Sequence, residues 1–292
     1  MKNVFTFLLL LFSLLCNGQS PKLFTTDKEL SSSLINQIYQ DRNGFIWIAT
    51  EDGLNRYDGA KFTIYKHEPN NEHSLAHNFV RTVFEDSKGH LLIGTYIGIQ
   101  MYDPATDNFT PLAKLEDTGE TLESNINSFI ERKNGEIWVS GNVLCKLDIK
   151  DHLLTVRKVD IAVTSPGSLF EDKKQNVWMA KGEEGVYQLT PDNQLTLHLS
   201  KDNGYVKSIC EDQRGNIYVG SIRKGLFIYD KERKTFVPID LKEKGELPVC
   251  FLYSGIPNEL YIGTDGKGVV IYNIRTHEIS EYKFDNNYFD SG

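Results

Sequence analysis

Hydrophobic and polar residues alternate along most of the chain, in short runs that are separated by turns rich in glycine, asparagine and aspartate. The stretch "INQIYQDRNGFIWIATEDGLNRYDGAKFTIYKH" contains four such runs, each enriched in β-branched and aromatic residues. Alternation with a period of two residues is typical of β-strands, and tight polar turns are typical of the hairpins that join them. The pattern therefore predicts four antiparallel strands, a to d, and no amphipathic helix.

The four-strand unit recurs six times. The positions aligned with Trp47 are 40 to 46 residues apart, and they are occupied by Leu92, Trp138, Trp178, Tyr218 and Tyr261. A repeat of this length, made of four antiparallel strands, is typical of a β-propeller. The sequence therefore predicts an all-β propeller over 22–284. Its six visible blades are expected over 34–67, 78–113, 124–160, 166–200, 204–240 and 246–284.

The turns between strands carry most of the glycines. Gly44 and its equivalents occupy the a–b turn, where positive φ is needed, and Asp41, Asp86 and Asp212 precede that turn. An aspartate at this place can accept hydrogen bonds from the amides of its own turn. The third and fourth units depart from the pattern, because Val143 and Gln175 stand where turn glycines are expected.

The two ends of the chain do not follow the four-strand repeat. Lys2 is followed by twelve apolar residues, 4–15, which is too short to span a bilayer and fits a signal peptide over 1–18, cleaved near Gly18 and Gln19. The segment 22–28 is expected to be a lone strand d that closes the ring. Because the sixth blade has its own strand d, we expect this strand to pair with a seventh blade that starts at 285–292, in a protein longer than this sequence.

The charge and the composition of the chain argue against some classes of function. The net charge of −8 argues against a nucleic-acid-binding surface. After cleavage of the predicted signal peptide three of the four cysteines remain, Cys145, Cys210 and Cys250, and this odd number gives no disulfide framework. Cys210 and Cys250 lie within apolar strand patterns, which predicts that they are buried free thiols. His73 and His77 lie four residues apart in a predicted loop with no third ligand, so we predict neither a metal site nor a cofactor.

The repeats "LINQIYQDRNGFIWIATEDGLNRYDGAKFTIYKH" and "SICEDQRGNIYVGSIRKGLFIYDKERKTFVPI" resemble the two-component regulator propeller family. The resemblance implies the periplasmic sensor region of a hybrid histidine kinase of the Bacteroidetes type, with two seven-bladed propellers. It also implies a β-sandwich, a membrane helix and signalling modules that this sequence does not contain, so any membrane contact would come through those parts. Sensors of this family respond to oligosaccharides, and the resemblance carries no catalytic residue to this chain.

We expect ligand binding on the face that the b–c turns share with the d–a connections, because loops on a rigid scaffold tend to carry function. The b–c turns differ from blade to blade in charge and size. The candidate ligand-binding residues are Glu51, Asp52, Tyr96, Asn142, Glu183, Arg223, Lys224, Asp265 and Lys267.

Three hypotheses remain open. The first is a non-enzymatic sensor that binds an oligosaccharide or mediates sensor homodimerisation. The second is a propeller enzyme, such as a lyase or a sialidase-like hydrolase, which would need acidic or histidine side chains that converge on the channel. The third is a protein-interaction scaffold with no small ligand.

Overall fold

Six antiparallel sheets of consecutive strands make up the part of the chain that a computed structural model describes, namely residues 24–27, 29–199, 204–241 and 247–282. The first strand of each sheet lines a central cavity, so the six sheets stand as blades in a ring. The predicted all-β propeller with six four-stranded blades is confirmed. Within the described ranges no helix is long and apolar enough to cross a membrane.

The first three blades each run from the centre of the ring to its outside. Their strands are β1 (Ile35–Gln40), β2 (Ile46–Thr50), β3 (Gly53–Tyr57) and β4 (Phe62–Tyr65), then β5 (Val80–Glu85), β6 (Leu91–Thr95), β7 (Ile99–Asp103) and β8 (Asn108–Phe109), and, after the short β9 (Lys114–Leu115), β10 (Ser128–Glu131), β11 (Ile137–Ser140), β12 (Leu144–Lys150) and β13 (Leu153–Lys158).

The last three blades repeat the same order. Their strands are β14 (Leu169–Glu171), β15 (Val177–Lys181), β16 (Gly185–Leu189) and β17 (Leu195–Leu199), then β18 (Val206–Glu211), β19 (Ile217–Ser221), β20 (Gly225–Asp230) and β21 (Thr235–Pro238), and finally β22 (Val249–Tyr253), β23 (Glu259–Thr264), β24 (Val269–Asn273) and β25 (Ile279–Glu281).

The a–b hairpin is fixed by one aspartate. Asp41 Oδ1 accepts the amide N–H groups of Asn43 and Phe45 at 3.0 and 2.9 Å, and Gly44 between them has a φ of +88°. Asp41 Oδ2 accepts the indole N–H of the buried Trp47 at 2.8 Å. The aspartate thus joins the turn to the hydrophobic side of its blade. Equivalent turns are built around Asp86, Asp172 and Asp212.

Each blade buries one face against the next. Trp47, Ala49 and Leu54 of blade 1 pack against Val83 and Ile93 of blade 2, and all five side chains are almost fully buried. Comparable clusters hold each of the following pairs, through to blades 5 and 6. Full burial of one aliphatic or aromatic side chain contributes about 1.5–3 kcal/mol. The interfaces between blades are therefore the hydrophobic core of the fold.

Blades 1 and 6 each keep one apolar face exposed. Ile38 in blade 1 is 61% exposed, whereas Val83, at the equivalent position of blade 2, is 1% exposed. On blade 6, Phe251 and Tyr253 are 60% and 51% exposed. Among the described residues, no strand contact like those between the other neighbouring blades joins blade 6 to blade 1. These two faces carry the residues of a blade interface without a blade opposite them.

Two details depart from the sequence prediction. β9 lies in the connection between blades 2 and 3 and pairs in parallel with the outer strand β13, which gives the third sheet a fifth strand. Gln175, which stands in place of a turn glycine, adopts a φ of +67°. The backbone of Gln175 therefore lies in the left-handed region, and this conformation costs a residue with a Cβ about 1–2 kcal/mol.

The predicted closing strand over 22–28 is not seen where the chain is described. Residues 24–27 end in a turn, and the amides of Glu29 and Leu30 bond the carbonyl of Thr25. Phe24 packs on the rings of Tyr57 and Phe62 at the outer edge of blade 1, at centroid distances of 5.1 and 4.9 Å. Residues 1–23, which include the predicted signal peptide, lie outside the described residues, as do Lys28 and 285–292.

Candidate functional site

The b–c turns and the d–a connections lie together at one end of the ring, which we name the loop face. The amide of Gly53 in a b–c turn bonds the carbonyl of Asn78 in a d–a connection at 2.6 Å, and that of Tyr96 bonds the carbonyl of Phe79 at 3.0 Å. In the same way, the amide of Ile222 bonds the carbonyl of Tyr205 at 2.9 Å. The two sets of loops therefore form one continuous surface.

The nine residues predicted from the sequence are exposed on this face, all of them within b–c turns. Asp52 contacts Lys66 Nζ at 2.5 Å and the amide of Asn78 at 3.1 Å. Glu183 of blade 4 and Arg223 of blade 5 form an ion pair at 3.0 Å. These contacts are local, so the nine residues form a rim around the loop face and do not converge on one point.

Tyr96 is the aromatic member of this rim. Its ring lies 5.6 Å from the imidazole of His77 and 6.1 Å from the ring of Phe79. The guanidinium of Arg81 lies over the ring of Phe79, 5.9 Å from the ring centre. This run of rings leads from the rim towards the centre of the ring of blades, because Arg81 is on the inner strand β5.

A cavity of about 490 Å³ lies at the centre of the loop face. Its walls are the first residues of the six inner strands, together with Ser165, Gly182 and Tyr205 from the loops beside them. None of the nine predicted rim residues lines this cavity. The structure thus places the concave site inside the predicted rim, on residues that the sequence analysis did not single out.

The cavity walls are built on a β-bulge that recurs at the start of the inner strand. In blades 1, 2, 5 and 6 the pairing between strands a and b shifts by one residue at this point. A bulge leaves one residue without a partner in the ladder and can re-aim its side chain. The six equivalent positions, which we name the bulge positions, are occupied by Asn36, Arg81, Asn127, Gly167, Lys207 and Cys250.

The sequence contains a pattern that marks the bulge positions. Each of them precedes the residue aligned with Trp47 by eleven positions, yet the six positions hold five residue types, from glycine to arginine. Most neighbouring positions in the repeat are restricted to apolar residues or turn formers. A position that varies within a uniform repeat is a candidate for recognition, and only the bulge, which the sequence does not reveal, shows that it faces the channel.

Most amides and hydroxyls in the cavity wall hold neighbouring blades together. Asn36 Nδ2 donates to the carbonyl of Val80 at 2.7 Å, and Asn127 Nδ2 donates to that of Pro166 at 3.1 Å. Ser168 Oγ donates to the carbonyl of Lys207 at 2.7 Å. These groups are partly committed to the fold, so the ring of blades is fixed at the place where a ligand would enter.

The remaining wall groups are cationic, aromatic or thiol. Arg81 and Lys207 contribute the two charges of the described wall, and among the described residues no aspartate, glutamate or histidine lines the cavity. The rings of Tyr205 and Phe251 are 42% and 60% exposed. Such walls can stack on a ligand and bond it, but they hold neither the carboxylate pair of a glycosidase nor the histidine that most often serves as a general base.

The three cysteines divide between core and cavity. Cys145 and Cys210 are buried between blades, and burial raises the pKa of their thiols to about 11 and about 12. Cys250 is half-buried and belongs to the cavity wall. The prediction of buried thiols is therefore confirmed for Cys210, whereas Cys250 is only half-buried.

A second polar cluster lies on the outside, between blades 1 and 2. Asp107 Oδ1 accepts the hydroxyls of Tyr65 and Tyr102, each at 2.6 Å, and pairs with Arg56 at 2.9 Å. Burial raises the pKa of both tyrosines, which keeps them neutral donors. Burial opposes ionisation of Asp107, but these hydrogen bonds lower its pKa. The cluster binds two blades together and leaves Asp107 Oδ1 fully occupied.

A larger groove, of about 710 Å³, lies on the flank of the ring beside the connections that precede and follow blade 2. Pro111, Leu112, Leu153 and Leu154 supply apolar walls. Its buried amide, Gln100, already bonds Ala76 N, Ser74 O and Thr110 O at 2.6, 3.0 and 2.8 Å. The central cavity, with unpaired cations and exposed rings, is therefore the stronger candidate site.

Comparison with known proteins confirms the resemblance predicted from the sequence. A family model described as "Two component regulator propeller" matches residues 29–52, 74–96 and 200–223. A protein of Formosa agariphila, "Histidine kinase P4", is 37% identical over 83 residues, which are 26% of this chain and 6% of that protein. Three segments of the chain therefore match the two component regulator propeller family, and the chain matches only a small part of that relative.

Solved structures share the fold. The extracellular domain of a putative hybrid two component system from B. thetaiotaomicron superposes with a TM-score of 0.76 at 21% identity, over 91% of this chain and 37% of that one. Virginiamycin B lyase from Staphylococcus aureus, solved with quinupristin, superposes with a TM-score of 0.68 at 12% identity, over 92% and 89%. At these identities the likeness is one of fold, and this chain spans about a third of the sensor domain's length.

Proposed function

We propose that this chain is an exported, periplasmic sensing propeller of a two-component system, and that it binds an oligosaccharide at the mouth of the central cavity without consuming it. The observation that carries the proposal is the wall of that cavity. It combines exposed rings with polar groups on a rigid scaffold, and among the described residues it has no carboxylate or histidine.

The similarity to extracellular sensor domains supports the sensing role, and the cavity supports the ligand. A saccharide presents an apolar ring face that stacks on tyrosine or phenylalanine, and hydroxyls that bond amides and cations. Tyr205 and Phe251 offer the stacking surfaces, while Asn36 and Asn127 offer amides. The rim residues, among them Asp52 and Arg223, surround this mouth and would contact the parts of a ligand that extend beyond it.

The experiment is isothermal titration calorimetry of the full chain against a glycan panel, followed by mass spectrometry of each incubated mixture. Tyr205→Ala should weaken binding by on the order of 1–2 kcal/mol, since truncation of an interface aromatic commonly costs more than 1 kcal/mol. Tyr253→Ala is the matched control, because Tyr253 is exposed on β22 but does not line the cavity.

Each outcome is informative. Cleavage or elimination products from any glycan would replace sensing by the enzyme hypothesis, to which the fold of virginiamycin B lyase also corresponds. Binding that is weakened by Arg223→Ala and not by Tyr205→Ala would move the site from the cavity to the rim. No binding by any glycan would contradict the proposal and favour the protein-interaction scaffold.

A further inference from the structure

The charge of the cavity is opposite to that of the chain. The sequence has 40 acidic and 32 basic residues, and its net charge is −8. The cavity wall, as far as the described residues form it, carries in contrast Arg81 and Lys207 and no carboxylate. Both cations occupy bulge positions, in blades 2 and 5, so the same backbone device presents each of them to the channel.

Some basic side chains beside the inner strands are paired with acids. Arg42 meets Glu85 at 2.6 Å, and Arg132 meets Glu171 at 2.9 Å. Within the part of the chain that the structure describes, neither Arg81 nor Lys207 has a carboxylate within salt-bridge distance. The Arg81 guanidinium lies over the ring of Phe79, 5.9 Å from its centre. The fold thus keeps two positive charges free at the cavity while it neutralises comparable ones nearby.

We propose that the cavity takes the anionic group of an acidic saccharide, a carboxylate or a sulfate, with Arg81 and Lys207 as its counter-charges. The inference rests on the proposed function, since it names the class of oligosaccharide that the same cavity would bind. Hydrogen bonds between ionised partners are shorter and stronger than neutral ones, and a guanidinium fork fits both anionic groups. A concave wall of one sign also focuses the field on an entering ion.

The surrounding rim carries charges of both signs. Among its acids, Asp52 is paired with Lys66 and Glu183 is paired with Arg223. The described wall of the cavity carries positive charge alone, so the cavity is the place where an anionic group of the ligand would be held.

The test is calorimetry of the full chain with four tetrasaccharides: neutral cellotetraose, tetragalacturonate, carboxyl-reduced tetragalacturonate, and a chondroitin sulfate tetrasaccharide. We expect at least one anionic member to bind, and to bind at least tenfold more weakly after Arg81→Gln or Lys207→Gln, since hydrogen bonds to charged groups are the stronger class. The uronate and sulfate arms separate the two anionic groups. Lys174→Gln is the matched control, because Lys174 is an exposed cation in an a–b turn outside the cavity.

Arg81 and Lys207 make no side-chain hydrogen bond in the described chain, so both variants should melt at the temperature of the unchanged protein. Binding of cellotetraose or of the carboxyl-reduced sugar that ignores Arg81→Gln and Lys207→Gln would overturn the anionic class and leave saccharide sensing in place. No binding by any of the four, or by the wider glycan panel, would contradict both proposals. Acidic binding that Lys174→Gln weakens equally would show general surface attraction and would also overturn the inference.

Discussion

Replacing Asp172 with alanine is expected to lower the free energy of unfolding by about 3–5 kcal/mol, because one buried carboxylate holds both a turn and a tryptophan. Asp172 is 5% exposed. Its Oδ1 accepts the amides of Lys174 and Asn176 at 2.8 and 2.9 Å. Its Oδ2 accepts Asn176 Nδ2 and the indole N–H of Trp178, both at 2.8 Å.

The magnitude follows from what the substitution leaves behind. Trp178 is 1% exposed, and its indole N–H would have no acceptor, which costs about 1–3 kcal/mol for a buried donor. The Asn176 side chain, also buried, loses its acceptor in the same way. Each of the two turn amides loses a bond whose net contribution is about 1 kcal/mol, and partial relaxation brings the total to the range given.

The assay is equilibrium urea unfolding followed by circular dichroism, with Asp58→Ala as the matched control. Asp58 also accepts two turn amides, from Ala60 and Lys61 at 2.8 Å each, but it is exposed and holds no aromatic side chain. A double-mutant cycle with Trp178→Phe removes the orphaned donor. Asp172→Ala should therefore cost less in the Phe background. Equal losses for Asp172→Ala and Asp58→Ala, or no coupling to Trp178, would refute the reasoning.

Three further outcomes are expected. Burial opposes ionisation of Glu136, but hydrogen bonds, first from Lys146, hold its pKa at about 2, below the ordinary 4.5. The stability lost in Glu136→Gln should therefore be complete above pH 4.5 and should vanish as the pH falls towards 2 in urea titrations. In native protein, Cys250 should react with a maleimide before the two buried cysteines, and an anionic saccharide should slow that reaction, as peptide mass mapping would show. Ile38→Lys should raise the monomer fraction in size-exclusion chromatography at little cost in melting temperature, whereas Val83→Lys should unfold the protein.

Each of these has a result that contradicts it. A stability difference for Glu136→Gln that is constant across the acid range would show that the carboxylate is not held by the cation beside it. Labelling of Cys145 and Cys210 as fast as Cys250 in native protein would mean that the blade interfaces open readily. Unfolding by Ile38→Lys would show that the exposed face of blade 1 is covered in solution.

The blades and their turns could be predicted because both depend on local signals. Alternation with a period of two specifies a strand, and an aspartate three residues before a glycine specifies its turn. The bond from Asp41 to the indole of Trp47 was not predicted, although the two residues recur at the same spacing. It depends on the side chain reaching over the turn, which the backbone pattern does not state.

The cavity residues escaped prediction for a different reason. Strict alternation places Asn36 and Gln37 on opposite faces of the strand, and only the bulge between Ile35 and Gln37 changes the direction in which they point. The pairing of β9 was also out of reach, since two residues joined in parallel to β13 carry no periodic signal. The strand predicted over 22–28 lies only in part within the described residues, where Phe24 packs on the rings of Tyr57 and Phe62.

The bulge positions have a consequence for how a propeller of this kind changes its specificity. Because the blades repeat the same backbone, a residue moved from the bulge position of one blade to that of another keeps its distance from the channel axis and changes only its angle around it. Exchanging the residues at 207 and 250, at the bulges of the neighbouring blades 5 and 6, would thus turn one charge through the angle of a single blade. The repeat therefore sets the distance of a recognition side chain from the channel axis, and the blade that carries the side chain sets its angle around that axis.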